Sequence, residues 1–338
     1  MPVECESMNP RRRLLLAAGC AVVSAALPRV AIAAQTPAVA TPWPTRPVRI
    51  LVGFPGGSSP DLTARALAEP LSQALGQPVV VENRPGASGN IAADLVAKAR
   101  DDHTLGLMIN GNLTIARLLN PKTPYDPLKD LAPVSLIGTA PLVLTVPANY
   151  GGTAQDFVKA GLQAGDTWSY GTPGLGTVAH LGMELIKAKT GLTPVHVPYP
   201  GNPQVMNAMV GGQIQLALLP PGLAMAQVRA GRLKAIAVTS AGRSSLVAEL
   251  PSLAELGIAG VDLEVWNALA VPAGMPQPVV QRLAGLVSAM VRSPEMRQRL
   301  YAQGWQVVGS SPEGLAHRMR QDTAVLGGVI ARQGIRNE

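Results

Sequence analysis

The chain has 338 residues and is 47% hydrophobic, with 28 Lys and Arg against 21 Asp and Glu for a net charge of +7. That size and apolar content are sufficient for a large core in one or two domains. Aromatic residues account for only 3% and no run of Lys and Arg follows residue 33, which argues against a nucleic-acid partner.

Residues 1–33 have the pattern of an export signal. A basic segment at Arg11–Arg13 precedes a 13-residue apolar run, Leu14–Ala26, and an A-x-A cleavage motif at Ala31–Ala33. The apolar run is shorter than the ~18 to 20 residues needed to span a bilayer, so a cleaved signal is favoured over an anchor. We therefore expect cleavage near Ala33 and a periplasmic mature protein.

Both cysteines of the chain, Cys5 and Cys20, lie in this leader. The leader also holds four Arg and two Glu, so cleavage leaves a net charge of +5 and no thiol for a disulfide or a cysteine zinc site. Twin-arginine export and general secretion are both open routes, and lipidation of Cys20 and a start at Met8 are open alternatives.

Strand, turn and helix alternate in the first part of the mature chain. A strand over Val48 to Phe54 leads through a Gly-rich loop into a helix, because Leu and Ala then recur at helical spacing up to Leu75. The pattern predicts further strands over 78–81 and 104–109, with a helix over 91–99 between them and a short helix after them.

The same alternation restarts after an aliphatic stretch, Val134–Val146, that is interrupted by Pro141. We interpret this stretch as a crossing between two lobes, and Trp266–Pro272 as the return crossing. Between the crossings the sequence predicts helices over 153–164, 178–190 and 203–210, and strands over 167–170, 194–198, 214–219 and 234–239. Three helices follow the return crossing, over 278–291, 294–303 and 312–332.

This order predicts an α/β protein of two similar lobes joined by two crossings, with a cleft between the lobes. Each lobe is expected to contain a mainly parallel sheet with helices on both faces, and the two crossover strands are expected to form a hinge. Lobe I would comprise 42–138 plus 264–338, and lobe II 139–263. Open α/β sheets bind ligands at the carboxyl ends of their strands, so the cleft between the lobes is the expected site.

Two Gly-rich loops, Phe54–Asp61 and Tyr170–His180, each join a predicted strand to a predicted helix. Backbone N–H groups and the positive end of a helix dipole suit a carboxylate or another anion. Either loop alone is more simply an ordinary strand-to-helix turn. One such loop in each lobe indicates a shared anion site, with hydroxyl donors from Ser58, Ser59, Thr172 and Thr177.

Patterns that would indicate an enzyme or a cofactor site are missing from the sequence. It contains no G-x-S-x-G, H-E-x-x-H or P-loop motif, and its four His have no metal-ligand spacing. The G-x-G-x-x-A match at Gly174–Ala179 lacks the acidic residue that a dinucleotide site requires after the next strand. We therefore predict no catalytic residue, no metal and no cofactor, and keep a secreted hydrolase as an alternative.

Short motifs lie along the whole mature chain: Trp43-Pro44, Phe54-Pro55-Gly56-Gly57, Glu82-Asn83-Arg84-Pro85-Gly86-Ala87, Pro124-Tyr125-Asp126-Pro127, His196-Val197-Pro198-Tyr199, Ala237-Val238-Thr239-Ser240 and Val271-Pro272-Ala273-Gly274. Together these motifs resemble the Bug/TctC family of solute-binding receptors of tripartite tricarboxylate transporters. The resemblance implies a two-lobed periplasmic binding protein fold and a receptor that captures a small carboxylate in the interlobe cleft and delivers it to membrane permease subunits. We expect the receptor to be a monomer. A receptor that presents its ligand to a membrane sensor kinase is the other reading.

The resemblance also implies the ligand-binding positions, which fall in three loops. The sequence departs from the family pattern F-P-P-G-G-x-x-D, since Gly56 stands at its second proline and Ser58 at its second glycine. Pro200 also replaces a lysine that the family often carries after H-V-P-Y. The implied ligand-binding residues are Phe54, Gly56, Gly57, Ser58, Ser59, Asp61, Gly171, Thr172, Gly174, Gly176, Thr177, His180, Tyr199 and Asn202.

Overall fold

The structure is a computed structural model that describes residues 43–335. The predicted export signal, its cleavage site and Cys20 lie outside the described residues. The eleven strands described are β1 Val48–Val52, β2 Val79–Asn83, β3 Thr104–Ile109, β4 Leu131–Pro141, β5 Val143–Pro147, β6 Ser169–Thr172, β7 Val195–Pro198, β8 Leu216–Leu219, β9 Leu233–Val238, β10 Glu264–Pro272 and β11 Gln306–Val307.

Helices separate most of these strands, as the sequence pattern predicts. A π-helical turn over 111–115 precedes α3, and short 3-10 turns lie over 87–89, 165–167 and 254–256. The α-helices described are α1 Ser59–Leu75, α2 Asn90–Ala97, α3 Ala116–Leu119, α4 Phe157–Ala164, α5 Val178–Thr190, α6 Asn202–Val210, α7 Pro221–Arg229, α8 Gln277–Arg292, α9 Pro294–Ala302 and α10 Pro312–Gln333.

The strands form two sheets, one of six strands in the order β11-β4-β10-β3-β1-β2 and one of five in the order β7-β6-β8-β5-β9. Together with the helices, they confirm the predicted α/β class. Pairing is more mixed than the expected mainly parallel arrangement. β1 pairs in parallel with β2 and β3, and β6 with β7 and β8, whereas β4, β5 and β10 pair antiparallel to their neighbours. The antiparallel strands β4, β5 and β10 lie next to the chain crossings. None of them is joined directly to a neighbour in its sheet by a right-handed helical connection, the kind of connection that links parallel strands.

Buried aliphatic strands explain why the two sheets form. Every residue of β3 and of β8 is buried, as expected for strands that are covered on both faces. The helix α1 buries Leu67, Leu71 and Leu75 at four-residue spacing and ends at Gly76, whose φ of 69° closes the helix in the left-handed region. The apolar face of α1 therefore packs on the core of the six-stranded sheet, which holds the start of this helix in place.

The helix α10 packs against two different hydrophobic clusters. Its residues Leu315 and Met319 lie in a cluster with Trp266 and Leu136 of the six-stranded sheet. Further along the helix, Leu326 and Ile330 pack in the cluster of the five-stranded sheet. All described residues belong to one compact unit, so the lobe boundaries at 138/139 and 263/264 stay a prediction. Within residues 43–335, no helix is long and apolar enough to cross a bilayer.

Candidate functional site

The first Gly-rich loop leaves the carboxyl end of β1 and enters α1. The backbone N–H of Gly57, at a φ of 78°, donates to Asp61 Oδ2 at 2.9 Å. Arg65 Nε and Asn83 Nδ2 also donate to the Asp61 carboxylate, at 3.0 and 2.9 Å. Asp61 is therefore occupied in holding the loop in shape rather than in facing the cleft. Burial opposes its ionisation, but these hydrogen bonds outweigh burial and hold the pKa of Asp61 below its ordinary value.

Ser58 is the residue that caps α1, and its hydroxyl is unused. The residue has an extended backbone, with φ −71° and ψ 158°, so replacing a family glycine by serine here requires no left-handed conformation. Its side chain is 1% exposed. Within the described residues, Ser58 Oγ has no hydrogen-bond partner. A buried hydroxyl in this condition is a donor and an acceptor that a ligand can satisfy.

The second Gly-rich loop leaves β6 and enters α5. Thr177 caps the helix, because its Oγ accepts from His180 N at 3.4 Å and donates to the carbonyl of Gly174 at 2.8 Å. Thr172 is fully buried, and its Oγ lies 2.7 Å from His196 Nε2 and accepts from Gly174 N at 3.3 Å. The hydroxyls of both threonines therefore shape the loop, and the N–H groups of Val178 and Ala179 at the start of α5 remain for a ligand.

Two glycines of this loop allow the two sheets' loops to approach each other. Gly174, at a φ of 117°, has so little room that a Cβ would lie 2.4 Å from Ser88 Oγ. A Cβ on Gly176, at a φ of 72°, would lie 2.6 Å from a methyl group of Leu119. Both neighbours belong to the segment between β2 and β4. The close contact across the cleft therefore requires glycine, which has no side chain, at both positions.

A cluster of ionisable side chains lies behind the second loop. The ring of His196 stacks on those of His180 and Tyr170, with centroids 4.6 and 4.7 Å apart. Tyr170 donates to Glu184, which is also bound by Lys187 Nζ at 2.8 Å. Burial, with the nearby charge of His180, lowers the pKa of His196 to about 4. The imidazole of His196 is therefore neutral at physiological pH.

A buried cavity lies between the starts of α1 and α5. Its accessible volume is about 40 Å³. Polar lining comes from Ser58, Ser59, Thr177, Asn202 and Asn267. Its lining, as far as the structure describes it, includes no Asp, Glu, Lys, Arg or His. The remaining wall is largely apolar and includes Phe54, Ile109, Leu142, Val178, Leu218 and Val265.

The arrangement is suited to a small anion. The first turns of α1 and α5 both contribute residues to the cavity wall, and helix N-termini attract negative charge through free N–H groups and the helix dipole. No acidic side chain opposes an anion among the lining residues described above. Chemically, the site can bind and enclose a ligand. Residues 43–335 contain no cluster of three His, Cys, Asp or Glu placed to hold a metal ion.

The structure distributes the residues selected from the sequence among three places. Five line the buried cavity: Phe54, Ser58, Ser59, Thr177 and Asn202. Gly174, Gly176 and Tyr199 line a second, outer part of the cleft together with Ser88 and Leu119. The others, outside both linings, support the loops or the strand below them: Gly56, Gly57, Asp61, Gly171, Thr172 and His180.

The strands β3, β8 and β10 contribute site residues that the sequence pattern does not indicate. Ile109, Leu218, Val265 and Asn267 from these strands line the cavity. The apolar members of this group have no distinguishing pattern, because each belongs to an ordinary buried strand. Asn267 does carry a signal, since it is the single amide in the apolar strand β10.

Comparison with known proteins identifies the family of this arrangement. The family model described as "Tripartite tricarboxylate transporter family receptor" (TctC) matches residues 63–335. Protein BugT of Bordetella pertussis is 32% identical over 326 residues, which cover 95% of this chain and 98% of BugT.

Two solved structures are similar in both sequence and fold. R. palustris Rpa4515 with adipate is 32% identical, covers 87% of this chain and 99% of its own, and superposes with a TM-score of 0.84. MatC from Rhodopseudomonas palustris with bound malate is 29% identical, covers 85% of this chain and 100% of its own, and has a TM-score of 0.81. These matches confirm the predicted two-lobed binding-protein fold, and the chain belongs to the family of tripartite tricarboxylate transporter receptors.

Proposed function

We propose that this protein is a periplasmic solute-binding receptor that encloses a small carboxylate between its two lobes. The observation that carries the proposal is the buried cavity onto which the N-termini of α1 and α5 both open. The related structures that contain adipate and malate support the ligand class, since both are small carboxylates.

In the proposed mechanism, binding stabilises a closed arrangement and no covalent step occurs. A carboxylate that contacts α1 and α5 at once binds the closed lobes more tightly than the open ones, and this difference shifts the population toward closure. Among the residues selected from the sequence, Phe54, Ser58, Ser59, Thr177 and Asn202 would contact the ligand. Those outside the cavity wall, such as Thr172 and Asp61, would hold the loops in position.

The partner we propose is a set of membrane permease subunits of a tripartite tricarboxylate-type transporter, to which the monomeric receptor delivers its ligand. Delivery requires export, which the leader at residues 1–33 would direct, with cleavage near Ala33. Genes for small and large membrane subunits next to this one would support transport, whereas a neighbouring histidine kinase gene would support signalling instead.

The test of carboxylate binding is a thermal-shift screen with dicarboxylates, tricarboxylates, hydroxy acids and aromatic carboxylates, followed by isothermal titration calorimetry. A ligand at 100 times its Kd should add about 2.7 kcal/mol to the free energy of unfolding. The matching uncharged amides serve as controls, because they lack the anionic group. If no carboxylate raises the melting temperature, or if the protein hydrolyses a chromogenic ester instead, the proposal is wrong.

A further inference from the structure

Asn267 is a buried polar residue at the floor of the cavity. It lies on β10 beside the apolar lining residue Val265, and its side chain is 1% exposed. In the part of the chain that the structure describes, Asn267 Oδ1 has no hydrogen-bond partner. A buried amide oxygen in this condition is destabilising unless something binds to it.

The neighbouring Thr63 determines which atom of the Asn267 amide is free. Thr63 Oγ donates its one proton to the carbonyl of Ser59 at 3.1 Å. The same oxygen therefore accepts from Asn267 Nδ2, at 2.9 Å. With the amide turned over, a hydrogen bond to Thr63 would form only if the Thr63 hydroxyl gave up its bond to the carbonyl of Ser59. Asn267 consequently presents a hydrogen-bond acceptor, not a donor, to a ligand.

This acceptor restricts the chemistry of the ligand beyond its carboxylate. A second carboxylate would meet the oxygen of Asn267 and an apolar wall, with no Lys, Arg or His among the lining residues that the structure describes. An ammonium group would lack a carboxylate partner in the same wall. A hydroxyl group donates one hydrogen bond without bringing a charge, and therefore satisfies Asn267 Oδ1.

We propose that the cavity selects a compact monocarboxylate that carries a hydroxyl group. Its carboxylate would lie at the starts of α1 and α5, and its hydroxyl would donate to Asn267 Oδ1. The accessible volume of about 40 Å³ admits only a compact molecule. The inference rests on the proposed function, because it presumes carboxylate binding.

Calorimetric titration of the full mature chain with two matched ligand sets tests the inference. One set is butyrate with 2-, 3- and 4-hydroxybutyrate, and the other is succinate and adipate. We expect at least one hydroxybutyrate to bind about tenfold or more tightly than butyrate, and more tightly than either dicarboxylate. In Asn267→Leu, which keeps the size but removes the acceptor, the ratio between hydroxybutyrate and butyrate affinities should fall to near one.

Asn110→Leu is the matched control. Asn110 is fully buried and donates from Nδ2 to the carbonyl of Glu264 at 2.9 Å, and its Oδ1 has no partner within residues 43–335, but it does not line the cavity. Its replacement should leave the hydroxybutyrate-to-butyrate ratio as in wild type. If Asn267→Leu does not fold, Thr63→Val removes the anchor of the amide and should also reduce the ratio.

The outcomes separate this inference from the proposed function. Tighter binding of succinate or adipate, or equal binding of hydroxybutyrate and butyrate, would overturn the hydroxyl selection while carboxylate binding stands. An unchanged ratio in both Asn267→Leu and Thr63→Val would show that Asn267 has only a structural role. Absence of binding by every carboxylate would overturn the inference and the proposed function together.

Discussion

Thr239 and Leu142 are joined by two hydrogen bonds at the point where the chain passes between the sheets. The N–H of Thr239 donates to the carbonyl of Leu142, and the N–H of Leu142 donates to Thr239 Oγ, both at 2.9 Å. Thr239 Oγ in turn donates to the carbonyl of Leu263 at 2.7 Å. One fully buried threonine therefore connects the outgoing passage at Leu142 with the returning passage at Leu263.

Replacing this threonine should destabilise the fold. Thr239→Val keeps the shape of the side chain but leaves the N–H of Leu142 and the carbonyl of Leu263 without their side-chain partner in a buried place. We expect a loss of about 2 to 4 kcal/mol in the free energy of unfolding, measured by urea denaturation. Thr323→Val is the control, because its hydroxyl bonds only to the carbonyl of Met319 within α10. Equal effects of the two substitutions would contradict the role assigned to Thr239.

Ser58 provides a test of ligand contact that does not depend on unfolding. Its buried hydroxyl has no partner within the described chain, so Ser58→Ala removes no native hydrogen bond. We expect the unfolding free energy to stay the same or rise slightly, while affinity for the bound carboxylate falls by about fivefold to tenfold. Calorimetry and urea denaturation on the same preparation measure both quantities.

Ser72→Ala is the matched control for Ser58→Ala at the other end of α1. Ser72 Oγ donates to the carbonyl of Gln77 at 2.9 Å, far from the cavity. This substitution should therefore lower stability modestly and leave affinity unchanged. An unaltered affinity in Ser58→Ala would remove Ser58 from the proposed contact set.

Much of the site is readable from the sequence because its loops are local structures. A strand, a Gly-rich turn and a capped helix follow one another within about 20 residues at both Phe54–Asp61 and Tyr170–His180, so neighbouring residues determine the geometry. Ser58 and Thr177 could therefore be selected from these two loops alone, whereas Asn202 lies outside them and was implied by the family resemblance.

The floor of the site is different, because pairing of distant strands creates it. Asn267 reaches Thr63 only after β10 has paired with β3, and these residues are 204 positions apart. The helix α7 was also not predicted, since its Pro220-Pro221 start and Gly222 obscure the short apolar repeat that follows. The two-residue strand β11 is too short to produce an alternating pattern.

The partly buried His196 should make stability depend on pH. Its pKa is lowered from an ordinary value of 6.5 to about 4, first by burial and next by His180. Between these two values the unfolded chain takes up a proton that the folded chain does not. The contribution of His196 to the free energy of unfolding is therefore fully present above pH 6.5 and is lost as the pH falls toward 4. Below pH 4 this group causes no further loss. The loss from this group should be clearly smaller than the ~3.4 kcal/mol that this pKa difference would give without screening, because solvent screens the partly exposed ring.

Urea denaturation at several pH values between 7.5 and 4 checks the effect of His196. In His196→Gln the decline in unfolding free energy over this range should be clearly smaller than in wild type. The side chains that face His196 are Thr172, Tyr170, His180, Glu184 and Lys187, and His180 should account for part of the remaining decline. A full wild-type decline in His196→Gln would contradict this explanation.

The effect of the close contact between Gly176 and Leu119 can be separated from the effect of the backbone conformation at Gly176. Gly212 has the same φ of 72°, and no atom lies within 4 Å of the place that a Cβ would take there. Alanine at either position should lower the unfolding free energy by roughly 1 to 2 kcal/mol, the general penalty of the left-handed conformation. Only at Gly176 would the added methyl also press on Leu119 across the cleft. We therefore expect Gly176→Ala to weaken ligand binding by about tenfold or more, and Gly212→Ala to bind as wild type. Small-angle scattering with saturating ligand should show a larger radius of gyration for Gly176→Ala than for Gly212→Ala. Equal affinities in the two variants would mean that lobe closure does not require the contact between Gly176 and Leu119.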